Sequence, residues 1–151
     1  MRKKTGTVGD ILRIDLENGL HAFGRVLNSP LMAFYDTATE AQDPPGNILN
    51  TNILFKIWVM KSAYKSKNWN IIGNSPLDST LTEEPLFFKI DPITKKYSTY
   101  KGGLETPAFR EECLHLERAA AWSPKHIEDR LRDYFMGTPC KWTESLKCPT
   151  S

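Results

Sequence analysis

Apolar positions in the first third of the chain fall into short strand-like runs. Ile14, Leu16, Leu20, Ala22, Val26 and Leu27 place apolar surface on either side of Asn18-Gly19. An Asn-Gly pair suits a tight hairpin because both residues tolerate positive φ, as a type I′ turn requires. A third strand follows at Leu31-Met32-Ala33-Phe34-Tyr35. Residues 37–52 contain Pro44-Pro45-Gly46, which blocks both a helix and a central strand, and read as a long connection. From residue 53 to 60, Ile53, Phe55, Ile57 and Val59 alternate with Leu54, Lys56, Trp58 and Met60. Both sets contain apolar residues, so this strand is expected to be covered on both faces.

Lys61–Asn68 is polar and reads as a turn, Trp69–Ile72 as a short strand ended by Gly73-Asn74-Ser75-Pro76. Leu86–Ile90 and Tyr97–Tyr100 read as two strands joined by a hairpin loop, and Gly102-Gly103 marks a break. Leu114–Trp122 is ambiguous, because three alanines favour helix while Ser123-Pro124 stops one. The clearest helix spans about 124–136. Ser123 is its N-cap, Pro124 opens its first turn and Gly137 stands at the C′ position. Ile127, Leu131, Tyr134 and Phe135 form its apolar stripe, and Glu128, Asp129, Arg130 and Arg132 its wet face. From Thr143 apolar periodicity ends. These elements predict one α+β domain over 1–142, mostly β, as a curled antiparallel sheet or partly closed barrel with one C-terminal helix. Residues 143–151 are expected to be a flexible tail.

At 151 residues the chain can bury a core without disulfides. A net charge of +2 is too small to argue for a nucleic-acid partner. Residues 51–100 hold a lysine excess, but no arginine interleaves with Lys61, Lys65 and Lys67. Those lysines read as a solvated loop blunting a sheet edge. Cys113, Cys140 and Cys148 show no Cys-x-x-Cys spacing and read as reduced thiols. The N-terminus lacks a signal peptide's apolar region, and the longest apolar run, Leu31–Tyr35, is far short of the roughly 20 residues that span a bilayer. A cytoplasmic protein with no membrane partner is expected.

The search for chemistry returns little. Cys113-Leu-His115-Leu-Glu117 would share one face of a strand, as a thiol–imidazole pair or part of a metal site. No second ligand pair completes a tetrahedral set. Adjacent carboxylates at Glu83-Glu84, Glu111-Glu112 and Glu128-Asp129 would point to opposite faces of a strand. No glycine-rich phosphate loop occurs. No catalytic residue, metal or cofactor is expected. Asp10 and Arg25 sit on facing strands and are expected to close the sheet end through a salt bridge or hydrogen bonds. Glu117 needs a cationic partner, for which Arg25 is a candidate.

Ordered blocks carry a resemblance. Gly9-Asp10, Phe23-Gly24-Arg25-Val26 and Phe34-Tyr35-Asp36 are followed by Phe55-Lys56-Ile57-Trp58-Val59, Trp69-Asn70-Ile71-Ile72-Gly73, Glu84-Pro85-Leu86-Phe87-Phe88 and the segment Leu116–Gly137. In this order, over roughly residues 8–142, they resemble the immunity protein 26 family of bacterial polymorphic toxin systems. The resemblance implies a strand at Leu114–Trp122. It implies a non-catalytic cytosolic protein that binds and neutralises a cognate toxin domain in interbacterial competition. Combined with the long 37–52 connection, it makes Tyr35, Asp36, Glu40, Asp43 and Trp69 the expected partner-binding residues. The alternative is a small β-barrel nucleic-acid-binding module, which no nucleic-acid motif supports.

Overall fold

The computed structural model describes residues 6–150. Its ten described strands form two open sheets, and the class is α+β, mostly β. The first sheet contains β1 (Asp10–Asp15), β2 (His21–Val26), β3 (Leu31–Thr39), β4 (Ile53–Val59), β5 (Trp69–Asn74) and the short β10 (Ala121–Trp122), in the order β10-β4-β3-β2-β1-β5. The second contains β6 (Phe87–Ile90), β7 (Tyr97–Lys101), β8 (Leu104–Ala108) and β9 (Glu117–Arg118), in the order β8-β7-β6-β9. The end strands of each sheet differ, so neither closes into a barrel. Neither sheet is purely antiparallel: β10 runs parallel to β4, and β9 parallel to β6.

Those two parallel pairs resolve the ambiguous segment. Leu114–Trp122 is neither one strand nor a helix. After a turn, β9 joins the second sheet and β10 joins the first, so six residues cross from one sheet to the other. Ser123 then caps α3 (Pro124–Met136), its Oγ accepting from the His126 N–H at 3.3 Å, and Gly137 ends the helix in the left-handed region at φ 73°. Short helices also occur at α1 (Ser79–Thr82), α2 (Arg110–Cys113) and α4 (Lys141–Leu146). The expectation of a single helix therefore missed α4, whose Leu146 packs against the main core. Its apolar side chains are too few to show a period in six residues.

The first turn also differs from expectation. Leu16 donates to the Leu20 carbonyl at 3.0 Å, leaving a three-residue loop. Positive φ falls on Glu17 (63°) and Gly19 (91°), not on Asn18. The side chains stabilise this shape: Asp15 Oδ1 accepts from Glu17 N–H, and Asn18 Oδ1 from Leu20 N–H. Such local acceptors compete with the two-residue turn.

β3 is covered on both faces. Met32 and Phe34 enter the main core with Leu12, Ile14, Ile57 and Trp122, beneath Ile127 and Leu131 of α3. Leu31 and Ala33 face the other way, toward Leu81 and Phe87. The α3 layer thus lies on one side of the first sheet, and α1 with the second sheet on the other. The covering of both faces expected for 53–60 also occurs: Phe55, Ile57 and Val59 face α3, whereas Trp58 meets Phe87 at a ring-centroid distance of 4.9 Å.

Candidate polar surface beside Asp36

Where β3 leaves the core, its pairing shifts on both sides. The register with β2 changes between Ala22 and Gly24, and that with β4 between Phe34 and Tyr35. An irregular strand bends and re-aims its side chains. Tyr35 stays buried while Asp36, the next residue, is exposed. The Asp36 N–H still donates to the Asn52 carbonyl at 2.8 Å, so the carboxylate is presented from an anchored backbone.

Beside it lies a cavity of about 730 Å³ lined by Asp36, Asn50, Thr51, Asn52, Asp78 and Thr80. Asp78 is the N-cap of α1, its Oδ1 accepting from Leu81 N–H at 3.0 Å. Lys56, the lysine of β4, is committed elsewhere: its Nζ donates to the carbonyls of Thr80 and Glu83. That bond ties α1 to the sheet and leaves the two carboxylates on the cavity wall. From α3, the Tyr134 phenol hydrogen-bonds Asp36, and this bond, with some burial, pushes the phenol above its ordinary pKa. The surface can accept hydrogen bonds and cationic groups; it holds no nucleophile–base pair.

The five expected partner-binding residues divide. Asp36 is exposed on β3 itself, and Glu40 and Asp43 are exposed on the β3–β4 connection. Tyr35 and Trp69 are not on the surface, being only 1% and 6% exposed. The Tyr35 hydroxyl accepts from Arg25 Nη1 at 3.1 Å, and Trp69 Nε1 donates to Glu128 Oε2 at 2.8 Å. Each ring is buried because its one polar atom is satisfied inside. Sequence reasoning missed Tyr134, taken for part of the apolar stripe but 48% exposed, and Phe109, which is also exposed. Asp78 had a local signal, since an Asp three residues before Leu81 suits an N-cap.

Of the two closures expected at Asp10 and Arg25, hydrogen bonds occur and the salt bridge does not, while other assignments change. Arg25 is 1% exposed, and among the described residues it pairs with no carboxylate. Its guanidinium instead donates to the carbonyls of Gly9 and Ser75 as well as to Tyr35. Gly9 is required for this closure: its φ is 93°, and a Cβ there would stand 2.5 Å from the Ser75 carbonyl oxygen. Asp10 accepts from Thr7 N–H and from the Asn74 amide. Glu117 is held by both terminal nitrogens of Arg130 rather than by Arg25. Cys113, His115 and Glu117 do not share a strand face, since Cys113 ends α2, His115 lies in a turn and Glu117 begins β9. Burial pushes the Cys113 thiol up, with Cys148 and Glu112 adding to the effect. That is opposite to the activation of a nucleophilic cysteine. Among the described residues no three His, Cys, Asp or Glu side chains gather as a metal-holding group, and no helix is long and apolar enough to cross a membrane.

The features together define a small two-sheet α+β protein with a polar cavity beside the exposed Asp36. Residues 7–99, more than half the chain, match the family model described as Immunity protein 26. The chain belongs to that family. Comparison with curated proteins and with solved structures gave no match.

Proposed function

We propose that the protein binds one cognate toxin domain in the bacterial cytoplasm and neutralises it by occupying its surface, without catalysis. The observation that carries this reading is the family match over residues 7–99, since a toxin-neutralising role is what the family suggests and its members are generally non-catalytic. The contact surface proposed is Asp36, Glu40 and Asp43 together with the Asp78 side of the cavity. The net charge is only +2, so any attraction to a basic toxin face is local. Local complementarity speeds encounter and fixes register. A specific interface buries about 1,200–2,000 Å² in total, more than one loop supplies. Tyr134, adjacent to Asp36 and exposed, takes the aromatic-anchor role that Tyr35 and Trp69 are too buried to play.

The test is co-expression with the toxin domain encoded in the adjoining gene. Wild type should form a stoichiometric complex and restore growth. An Asp36/Glu40/Asp43 triple-alanine variant, checked for an unchanged melting midpoint, should protect less. Equal protection by that variant removes the proposed surface; no complex with wild type removes the immunity assignment for that pair.

A further inference from the structure

The seam where the second sheet meets the first holds a cavity of about 410 Å³, at the end of the β3–β4 pair opposite their connection. Trp58 of β4, Phe87 of β6 and Tyr100 of β7 line it, with Pro30 and Pro85 on its wall. The rings are set at angles, Trp58 to Tyr100 at 88° and Trp58 to Phe87 at 56°. Glu84 is the one carboxylate on the lining, and among the described residues no cation pairs with it. Aromatic rings attract cations through their quadrupole, and a carboxylate adds directional hydrogen bonds.

The same fold already uses this set of groups once. Across the first sheet, the guanidinium of Arg130 stacks 3.6 Å from the Phe55 ring centroid and 5.0 Å from that of Trp122, while Glu117 takes both terminal nitrogens. Two aromatic residues and one glutamate there hold an arginine. At the seam, Trp58, Tyr100 and Glu84 repeat the chemistry, with Phe87 buried behind Trp58 and no guanidinium from the described residues. Tyr100 already attracts a charge, Lys89 Nζ lying 5.0 Å from its centroid, but Lys89 is paired with Glu105.

We infer that this seam pocket is a binding site for an arginine side chain presented by a protein partner. The planar guanidinium stacks on the partly exposed Trp58 and Tyr100 and its fork meets Glu84; the proline walls receive the aliphatic stem. A lysine ammonium has no plane to stack, and a neutral side chain has no charge for Glu84. In a toxin complex the pocket would be a second contact beyond the Asp36 surface, and that placement alone rests on the reading above. The pocket itself is tested without a toxin.

The test uses the full chain labelled with ¹⁵N, in which Trp58→Phe assigns one indole signal among the four tryptophans. Acetyl-Gly-Arg-Gly-amide is titrated against the same peptide carrying citrulline, the neutral isostere, or lysine. The arginine peptide should move the Trp58 indole signal saturably. Its affinity should be at least about tenfold above that of either control, and about tenfold lower in a normally melting Glu84→Gln variant. The inference is overturned if the Trp58 signal does not move, if a control peptide binds equally, or if Glu84→Gln leaves the affinity unchanged.

Discussion

Trp69 on β5 donates its indole N–H to the carboxylate of Glu128 on α3 at 2.8 Å, joining the edge of the first sheet to the helix that covers it. Glu128 is 2% exposed, and its other oxygen accepts from the Asn68 amide at 3.2 Å. The same amide donates to Glu17 in the first turn. One buried carboxylate therefore ties α3 to the start of β5, and the Asn68 amide extends the link to the first turn.

Removing that carboxylate leaves an indole N–H and an amide N–H buried without acceptors. Each such group costs about 1–3 kcal/mol, so Glu128→Ala should destabilise the protein by roughly 3 kcal/mol. Trp69→Phe removes one donor but keeps most of the ring and should cost less. A double-mutant cycle by urea unfolding should show favourable coupling between the two positions. A Glu128→Ala midpoint equal to that of wild type would show that the bond contributes nothing.

Arg25 offers a second test. Its fork reaches two carbonyls and a phenol on three chain segments, a geometry an ammonium does not reproduce. Arg25→Lys should lose roughly 3 kcal/mol, and Tyr35→Phe about 1 kcal/mol through a single lost acceptor. Denaturant midpoints followed by tryptophan fluorescence check the ranking. If Tyr35→Phe proved the more damaging of the two, the guanidinium would not be the organising group.

Stability should fall on the alkaline side. The Tyr64 phenol is raised by burial and by the charge of Asp10, Tyr134 by its bond to Asp36, and the Cys113 thiol by burial. In each case the fold favours the protonated form, so the unfolded chain loses its proton first. The stability supplied is complete below the unfolded values, about 8.5 for cysteine and about 10 for tyrosine, and is lost as pH rises through the higher folded values. Urea midpoints measured from neutral pH upward should decline across that window, and a rising midpoint would contradict the assignment. Asp36→Asn should bring the Tyr134 titration, followed by NMR, back toward the ordinary tyrosine value.

Local chemistry made several elements legible from sequence alone. Ser123, Pro124 and Gly137 define both ends of α3, because caps and φ preferences act within a few residues. The Phe87–Ile90 and Tyr97–Lys101 strands, the covered 53–60 strand and the mostly-β α+β class followed from alternation and turn residues for the same reason. The exposed Glu40 and Asp43 followed from the proline-bearing connection.

What only the tertiary structure decided are the pairings between distant residues. Glu128 belongs to a run of charged residues, and one residue of that run is buried because Trp69 and Asn68, some 60 positions away, supply its donors. Tyr35 and Trp69 have the composition of interface anchors, yet partners across the core draw them inside. Leu114–Trp122 carries no stable local preference, and it becomes two strands because each sheet offers an unpaired edge. Side-chain period and propensity act over one turn or one strand. Burial is set by which surfaces meet, and that is settled only when the two sheets and α3 pack together.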